Sequence, residues 1–513
     1  MVPSGSQFFC RAIIRRNLIE EFRFMNPEAA ACKSPSVFRN WISFVGMVVG
    51  LGALFSFLLL FVLDALSKFA NPYVSILTYI VVPVFLIGGI GLAFAGAWRE
   101  RRRRAHGVGP ASLKIDLNDA HDRRVLVTFI TGSVVFLLLS AIGSYNAFNF
   151  TESVTFCGET CHKVMKPEKT THDLGPHARV ACVECHVGQG VSWFVKSKIS
   201  GSYQLYAVAF NKYPRPIPTP IKNLRPARET CEECHWPQSF VGNLDRTFNY
   251  FQSDASNSPY SIRLLLKIGG SDPRQGPVGG IHWHNLPGNK VEYVATDNAR
   301  QKIPWVRVTD AQGKITVFKT KNFTNDVTRM EIRTMDCMDC HNRPSHRYLS
   351  PEKAVNQQMA LGKIDPTIPW IKTNAVYVLT RPYQTDNEAK DGIAAALAAK
   401  YPNDPRVQTT TATIQQIYAD YFFPEMKASW ASYPDNVGHM IWPGCFRCHD
   451  GQHKTEDRKT TIKANDCNTC HTILAQGAGA DLNKLAPAGQ KFIHPGGELD
   501  DNPSCIDCHN GGP

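Results

Sequence analysis

Three long stretches of this 513-residue chain, 41–63, 73–98 and 125–145, hold no charged residue and no histidine. Each exceeds the roughly 20 residues needed to cross the hydrocarbon of a bilayer. Without ionisable groups they offer no proton relay. Without histidines they cannot hold an iron between imidazoles, which excludes a b-type haem inside the membrane. The first run is too long for the apolar part of a signal peptide, and no small-residue cleavage site follows it. It is therefore expected to stay as an anchor.

Basic residues are scarce between the first two runs, where only Asp64 and Lys68 carry charge. They are plentiful on either side. Arg11, Arg15, Arg16, Arg23, Lys33 and Arg39 lie in residues 1–40, and Arg99, Arg101–Arg104, Lys114, Arg123 and Arg124 lie in 99–124. The positive-inside bias puts residues 1–40 and a 99–124 loop in the cytoplasm. Three crossings then place everything after residue 145 outside, in the periplasm of a Gram-negative cell. The arginine run is read as a topology determinant held at anionic lipid, with no nucleic acid as partner.

Cysteine is nearly absent outside one pattern. Of sixteen, only Cys10 and Cys32 stand alone, on the reducing side, where they are expected to be free thiols. The other fourteen form seven pairs, each followed at once by histidine. Six are regular C-x-x-C-H motifs: Cys182/Cys185-His186, Cys231/Cys234-His235, Cys337/Cys340-His341, Cys445/Cys448-His449, Cys467/Cys470-His471 and Cys505/Cys508-His509. The first, Cys157/Cys161-His162, is one residue wider. This is the attachment signature of c-type haem. Both thiols add to the porphyrin, and the histidine reaches the iron as an axial ligand. Zinc ribbons take cysteine pairs two at a time and do not ask for histidine after each. Disulfides would leave seven histidines unexplained. Seven covalent haems, the expected cofactors, mean electron transfer.

No motif replaces its histidine by lysine, and spare histidines are plentiful. Eight remain outside the motifs and the cytoplasmic loop: His172, His177, His282, His284, His346, His439, His453 and His494. Eight candidates for at most seven second axial positions argue for bis-histidine irons of low potential. His346 follows His341 by one short turn. His282 and His284 flank Trp283 with strand-like alternation and point to opposite faces, so one of the two is expected to bind iron. For haem one, Met165 stands three residues past His162 and would raise the potential.

The fold expected is a membrane-anchored multihaem cytochrome c. Three N-terminal transmembrane helices (41–145) precede a periplasmic, mostly α and irregular, haem-packed domain with a β-rich insertion. Residues 146–240 carry haems one to three and include a proline-rich connector. Residues 241–336 read as strands (261–268, 291–296, 315–321), 337–350 carry haem four, 351–438 read as helices (387–401, 411–426), and 439–513 hold the last three haems. Net charge is +12, of which +7 falls in residues 1–145 and +5 beyond. Haem propionates would turn the exterior part acidic, suiting a cytochrome partner with a lysine-rich face.

An apolar run feeding into Cys157…Cys161-His162-Lys-Val-Met165-Lys-Pro-Glu168, then Gly-Pro-His177-Ala-Arg-Val, then Cys182…Cys185-His186-Val, resembles the NapC/NirT family of membrane-bound quinol dehydrogenases. The whole pattern is similar to the heptahaem inner-membrane cytochromes of metal-reducing bacteria. The resemblance implies methionine at haem one, here Met165. It also implies a quinol-pocket lysine after haem two, here Lys198. The family's acidic residue before Leu-Tyr is Gln204 in this chain, which cannot take a proton as a carboxylate can, so Glu168, Asp173 or water is expected to serve. Lys198, Gln204 and Glu168 are the candidates for holding quinol and taking its protons. The expected activity is oxidation of menaquinol at the outer leaflet, with electrons passed to periplasmic c-type cytochromes for anaerobic respiration on extracellular metal oxides. Two alternatives are a terminal reductase of nitrite or a similar small oxyanion, and a membrane tether for one dedicated reductase.

Overall fold

The structure is a computed structural model that describes residues 36–66, 82–109, 117–160, 162–188, 191–221, 224–269, 279–286, 288–463, 467–497 and 505–512. Cys10, Cys32, Cys161 and the start of the expected second span lie outside the described residues, as do the side chains of His162 and Cys467. Two compact units are present, one built from residues 1–68 and 74–127, the other from 69–73 and 128–513.

The first unit contains helices α1 (Trp41–Leu66) and α2 (Val82–Ala105). Among the described residues these two are long and apolar enough to cross a membrane. They pack through small residues, as helices must where lipid removes any hydrophobic drive to associate. A Cβ built on Gly46 would stand 2.3 Å from the Ala93 nitrogen, and one on Gly89 would stand 2.5 Å from the Gly50 nitrogen. The Ser43 hydroxyl donates across the pair to the Ala93 carbonyl at 2.9 Å and accepts from Asn40 Nδ2 at 2.9 Å. The arginine run is not loop, as its position between two spans suggested. Arg99 and Arg101–Arg104 continue α2 because Arg104 pairs with buried Glu100 one turn back (3.0 Å). The third apolar run lies inside α3 (Ala120–Thr151).

In the second unit, α4 (His162–Asp173) and α5 (Val191–Ala209) precede a β-rich section. Strands β1 (Leu244–Phe251), β2 (Pro259–Leu266), β3 (Lys290–Val294), β4 (Trp305–Thr309), β5 (Ile315–Lys319) and β6 (Arg333–Thr334) agree with the three strands expected and add three more. Strand β7 (His471–Gly477) comes from far along the chain and pairs antiparallel with β2, giving sheets ordered β1-β2-β7 and β5-β4-β3-β6. The sixth motif is thereby stitched onto the β-rich section.

Helices α6 (Pro351–Ala360), α7 (Ile371–Thr380), α8 (Asp386–Lys400) and α9 (Arg406–Tyr421) follow. Two of the starts have a local cause. Ser350 caps α6 by accepting from the Lys353 amide with Pro351 at the first position, and Thr385 caps α8 by accepting from the Glu388 amide. The four share an apolar core in which Val355, Ile364, Ile371, Ile393, Leu397 and Ile414 are fully buried. Burying each such side chain contributes about 1.5–3 kcal/mol, so this section has an apolar core of its own.

Candidate haem centres

Five of the seven cysteine pairs are described on both sides, and the regular ones form single helical turns, among them Cys182–His186, Cys337–Cys340 and Cys505–Cys508. A spacing of three residues puts both thiols on one face of such a turn. The Cys337 turn is set by a capping box in which Asp336 and Asp339 exchange side-chain and backbone hydrogen bonds. In the wide first motif, the extra residue is taken up by a π-helical turn, Phe156–Thr160. That turn accommodates one residue more than an α-turn.

The sixth motif, grouped by its sequence position with the fifth and seventh in a C-terminal three-haem module, also contacts the β-rich section. In the structure Cys470 ends the helical turn Cys467–Cys470 and is tied back to the β-rich section: its carbonyl accepts from the Lys267 amide at 2.8 Å. His471 then opens β7 opposite Leu266 of β2. The cause is the Thr472–Ala475 stretch, whose largely buried side chains fit a sheet better than a continued helix. The Cys470 side chain is half-buried, while that of Cys467 lies outside the described residues, so this expected attachment pair is described on one side only.

Tertiary structure brings successive motifs together. Contact between the Cys157 and Cys182 thiols pushes the pKa of the first up and lowers that of the second to about 6. Contact between Cys231 and Cys337 likewise raises the first and lowers the second. Cys185 lies within electrostatic reach of Cys234, and Cys340 of Cys445 and Cys448. Motif one thus abuts two, two abuts three, three abuts four, and four abuts five. The Phe446 ring inside motif five stacks on His439 at 4.3 Å.

Six motif histidines each face one histidine from elsewhere. The ring centres are 6.3 Å apart for His186–His346, 6.0 Å for His235–His177, 6.3 Å for His341–His282, 5.9 Å for His449–His284, 6.3 Å for His471–His439 and 6.1 Å for His509–His494. Two imidazoles on opposite sides of one iron, with metal–nitrogen bonds of about 2 Å, stand roughly 6 Å apart. The gaps fit the cofactor. Ring planes are near parallel for His282–His341 (15°) and His439–His471 (17°), and near perpendicular for His177–His235 (79°) and His284–His449 (86°).

The candidate histidines differ in their hydrogen bonding. The Nδ1 atoms of His177, His282, His284, His346 and His449 donate to the carbonyls of Pro344, Ile268, Ile281, Glu168 and Lys463 at 2.8–3.2 Å. That contact selects the tautomer whose Nε2 is free to bind metal. Burial disfavours the imidazolium and lowers the pKa of His186, His284, His341, His346, His439 and His471, keeping them in the ligating neutral form. At His494 the Nδ1 instead accepts from the Gly496 amide at 3.2 Å.

His172 and His453 differ from these six in their hydrogen bonds, although the His172 ring also stands 6.1 Å from that of His346. Both nitrogens of His453 are engaged, with Asp450 (2.8 Å) and the Ile303 carbonyl (2.6 Å), and the residue is buried. Both nitrogens of His172 are likewise engaged, with Asp173 (3.3 Å) and the Val180 carbonyl (3.0 Å). These two ligand candidates are built into the fold as hydrogen-bonding residues. A further correction concerns His282 and His284. They sit on a 3₁₀ turn, Ile281–Asn285, and not in a strand, and both face a motif histidine where only one was expected to.

The three quinol-site candidates are not gathered at one point. Lys198, on α5, pairs with Glu152 just beyond the end of α3, and both act electrostatically on Cys157 of motif one. Glu168 turns to the fourth-motif segment: its carboxylate lies 3.2 Å from His346 Nδ1 and 3.6 Å from Arg343, and accepts from the Tyr348 hydroxyl at 3.2 Å. Gln204 is exposed on α5, with its amide 3.5 Å from the Ser200 hydroxyl. Met165 is half-buried on α4, close to one turn past His162. Glu152 was missed by sequence reasoning. It lies just after a long apolar run, where a lone acid signals nothing by itself.

A family model for the N-terminal region of NapC/NirT cytochromes c matches residues 120–216. Over 495 residues the chain is 41% identical to the cytochrome c-type protein ImcH of Geobacter sulfurreducens, covering 93% of this chain and 96% of that protein. No solved structure matches it.

Proposed function

The chain belongs to the NapC/NirT cytochrome c family, as a full-length relative of ImcH, and from that premise we propose that it oxidises menaquinol at the inner membrane and hands the electrons to periplasmic c-type cytochromes. The family makes it a membrane cytochrome of electron transfer with covalently bound haem iron. The finer reading is that α1, α2 and α3 each cross the membrane, seven haems are attached through the seven motifs, and the acceptors ultimately serve respiration on extracellular metal oxides.

One observation carries the quinol assignment. Lys198, the residue that the family resemblance nominates for the quinol, lies beside Cys157, only six residues past the end of α3. A membrane-borne donor would meet haem one there first. One-electron carriage is the chemistry that haem supplies once attached. The protein's share is placement. His346, His177, His282, His284, His439 and His494 would hold the irons of haems two to seven, and Met165 that of haem one. The carbonyl bonds to Nδ1 hold five of the ligand rings in orientation. Glu168 steadies His346 through its backbone carbonyl and its carboxylate, and Gln204 remains a contact on the exposed face of the Lys198 helix. The chain of neighbouring motifs from one to five supports a relay, and the six motif histidines that each face a second histidine weigh against a terminal reductase.

The test uses the full-length protein in vesicles with a soluble naphthoquinol donor and a basic soluble cytochrome c acceptor. The haems are expected to be reduced by the quinol and reoxidised by the acceptor. Lys198→Ala is expected to slow reduction by roughly tenfold or more, as loss of a positioning contact does. Haems that stay oxidised in the wild type overturn the proposal.

A further inference from the structure

Resting on the quinol-oxidation reading above, we propose that Glu152 is the carboxylate that takes the quinol protons, in place of the acid this chain lacks at position 204. Three observations converge on it. First, Glu152 occupies the elbow between α3 and the π-helical turn of motif one. That elbow is held tight by the Ser153 hydroxyl donating to the Phe150 carbonyl (2.7 Å) and accepting from the Phe156 amide (3.0 Å), and by the Cys157 amide donating to the Ser153 carbonyl (3.2 Å). Its carboxylate therefore sits where a lipid-facing helix hands over to the first cysteine pair. Second, it is the acid paired with Lys198. Its side chain is 11% exposed against 40% for the lysine, so the ammonium forms the outer, approachable part of the pair. A group entering from the lipid side meets a donor backed by an acceptor. Third, the other acids are committed elsewhere. Glu168 is held by His346, Arg343 and Tyr348, and Asp173 by Lys169 at 2.5 Å and by His172.

The surface next to the pair suits a donor with an apolar tail. From Lys198 onward, Ile199, Tyr203, Tyr206 and Phe210 recur at helical spacing and are 68%, 66%, 45% and 64% exposed. A basic rim accompanies them: Lys196 lies over the Trp193 ring (4.4 Å) and Lys212 over the Tyr206 ring (5.2 Å). Aromatic and basic side chains so arranged belong to the interface of a bilayer.

The step balances as follows. One quinol O–H bond breaks, its proton passes to a Glu152 carboxylate oxygen, and one electron leaves to a ferric c-type haem, which becomes ferrous. Glu152 releases the proton to exterior water and repeats the transfer for the second O–H bond. The quinol becomes quinone, two electrons go to haem and two protons leave. Lys198 holds the quinol oxygen.

The test compares the wild type with Glu152→Gln and Glu152→Asp as full-length holoprotein in vesicles. Three readings are taken: the rate of haem reduction by a naphthoquinol across pH, the extent of reduction by dithionite, and the dissociation constant of a hydroxyquinoline N-oxide, a redox-inert quinol-site ligand. Glu152→Gln is expected to slow reduction by quinol about 100-fold, the usual scale for losing a general base, and to abolish the acid limb of the pH profile. Inhibitor binding should stay within about threefold, and dithionite should still reduce every haem, because neither reading requires a base. Glu152→Asp keeps a carboxylate and should retain the acid limb. A Glu152→Gln protein with wild-type rate and pH profile overturns the assignment of Glu152 and leaves the quinol reading standing. So does a Glu152→Asp protein that carries its full haem complement yet is as slow as Glu152→Gln. A wild type that quinol does not reduce, and that binds no inhibitor, overturns both.

Discussion

Replacing His282, His284 and His453 by alanine, one at a time, separates iron ligand from structural histidine. His282 faces His341 at 6.3 Å with planes 15° apart, and His284 faces His449 at 5.9 Å with planes 86° apart. On the proposed assignment of seven haems, each alanine should open one iron, moving about one seventh of the haem from low to high spin and creating one site that binds carbon monoxide when reduced. Paramagnetic resonance should also say which iron changed. Parallel imidazole planes give a rhombic low-spin signal, and perpendicular planes a strongly anisotropic one. His282→Ala should remove a rhombic component and His284→Ala an anisotropic one. His453→Ala should leave the spin states alone and lower stability instead. It deletes two buried hydrogen bonds and strands the Ile303 carbonyl and Asp450, a cost of roughly 2–4 kcal/mol. High-spin iron in His453→Ala, or an unchanged spectrum in His282→Ala, would refute the pairing.

Two stability measurements test the scaffold. Gly89→Val places a side chain where a Cβ already meets the Gly50 nitrogen at 2.5 Å. It should cost at least about 1–3 kcal/mol of helix-pair stability in detergent unfolding, and wild-type stability would contradict the close packing of α1 on α2. Glu292 sits directly opposite Arg307 across β3 and β4, and the Arg307 guanidinium, helped by Lys290 and opposed by burial, holds its carboxyl below the ordinary range. A depressed carboxyl contributes stability above its unfolded pKa of about 4.3 and loses it as pH falls through the folded value. Glu292→Gln should therefore cost about 1.5–3 kcal/mol near neutral pH, with the difference from wild type closing in acid. A gap that persists in acid unfolding curves would refute this.

The short-range signals were readable along the chain, because the chemistry that uses them is local. A thiol pair and its histidine act within one helical turn, so C-x-x-C-H identifies an attachment point wherever the turn ends up. Uncharged runs and the arginines beside them report on solvent, and solvent acts residue by residue. Strands 261–268 and 315–321 and helix 387–401 were legible for the same reason, through period and composition. Where a motif ends up was not legible: Cys470 marks an attachment point by its spacing, but only the pairing of β7 with β2 sets it against Lys267. The partner of each motif histidine was equally hidden. His346 answers His186 and His177 answers His235 only after strands, loops and helices distant in sequence have packed, and nothing in the neighbourhood of a histidine declares whether its Nε2 will be free. His453 and His346 look alike in the sequence. A carbonyl on one nitrogen leaves the Nε2 of the second unengaged, whereas the first has partners on both nitrogens. The pairing of Glu152 was hidden for the same reason: an acid after an apolar run finds Lys198 only when α5 packs against it.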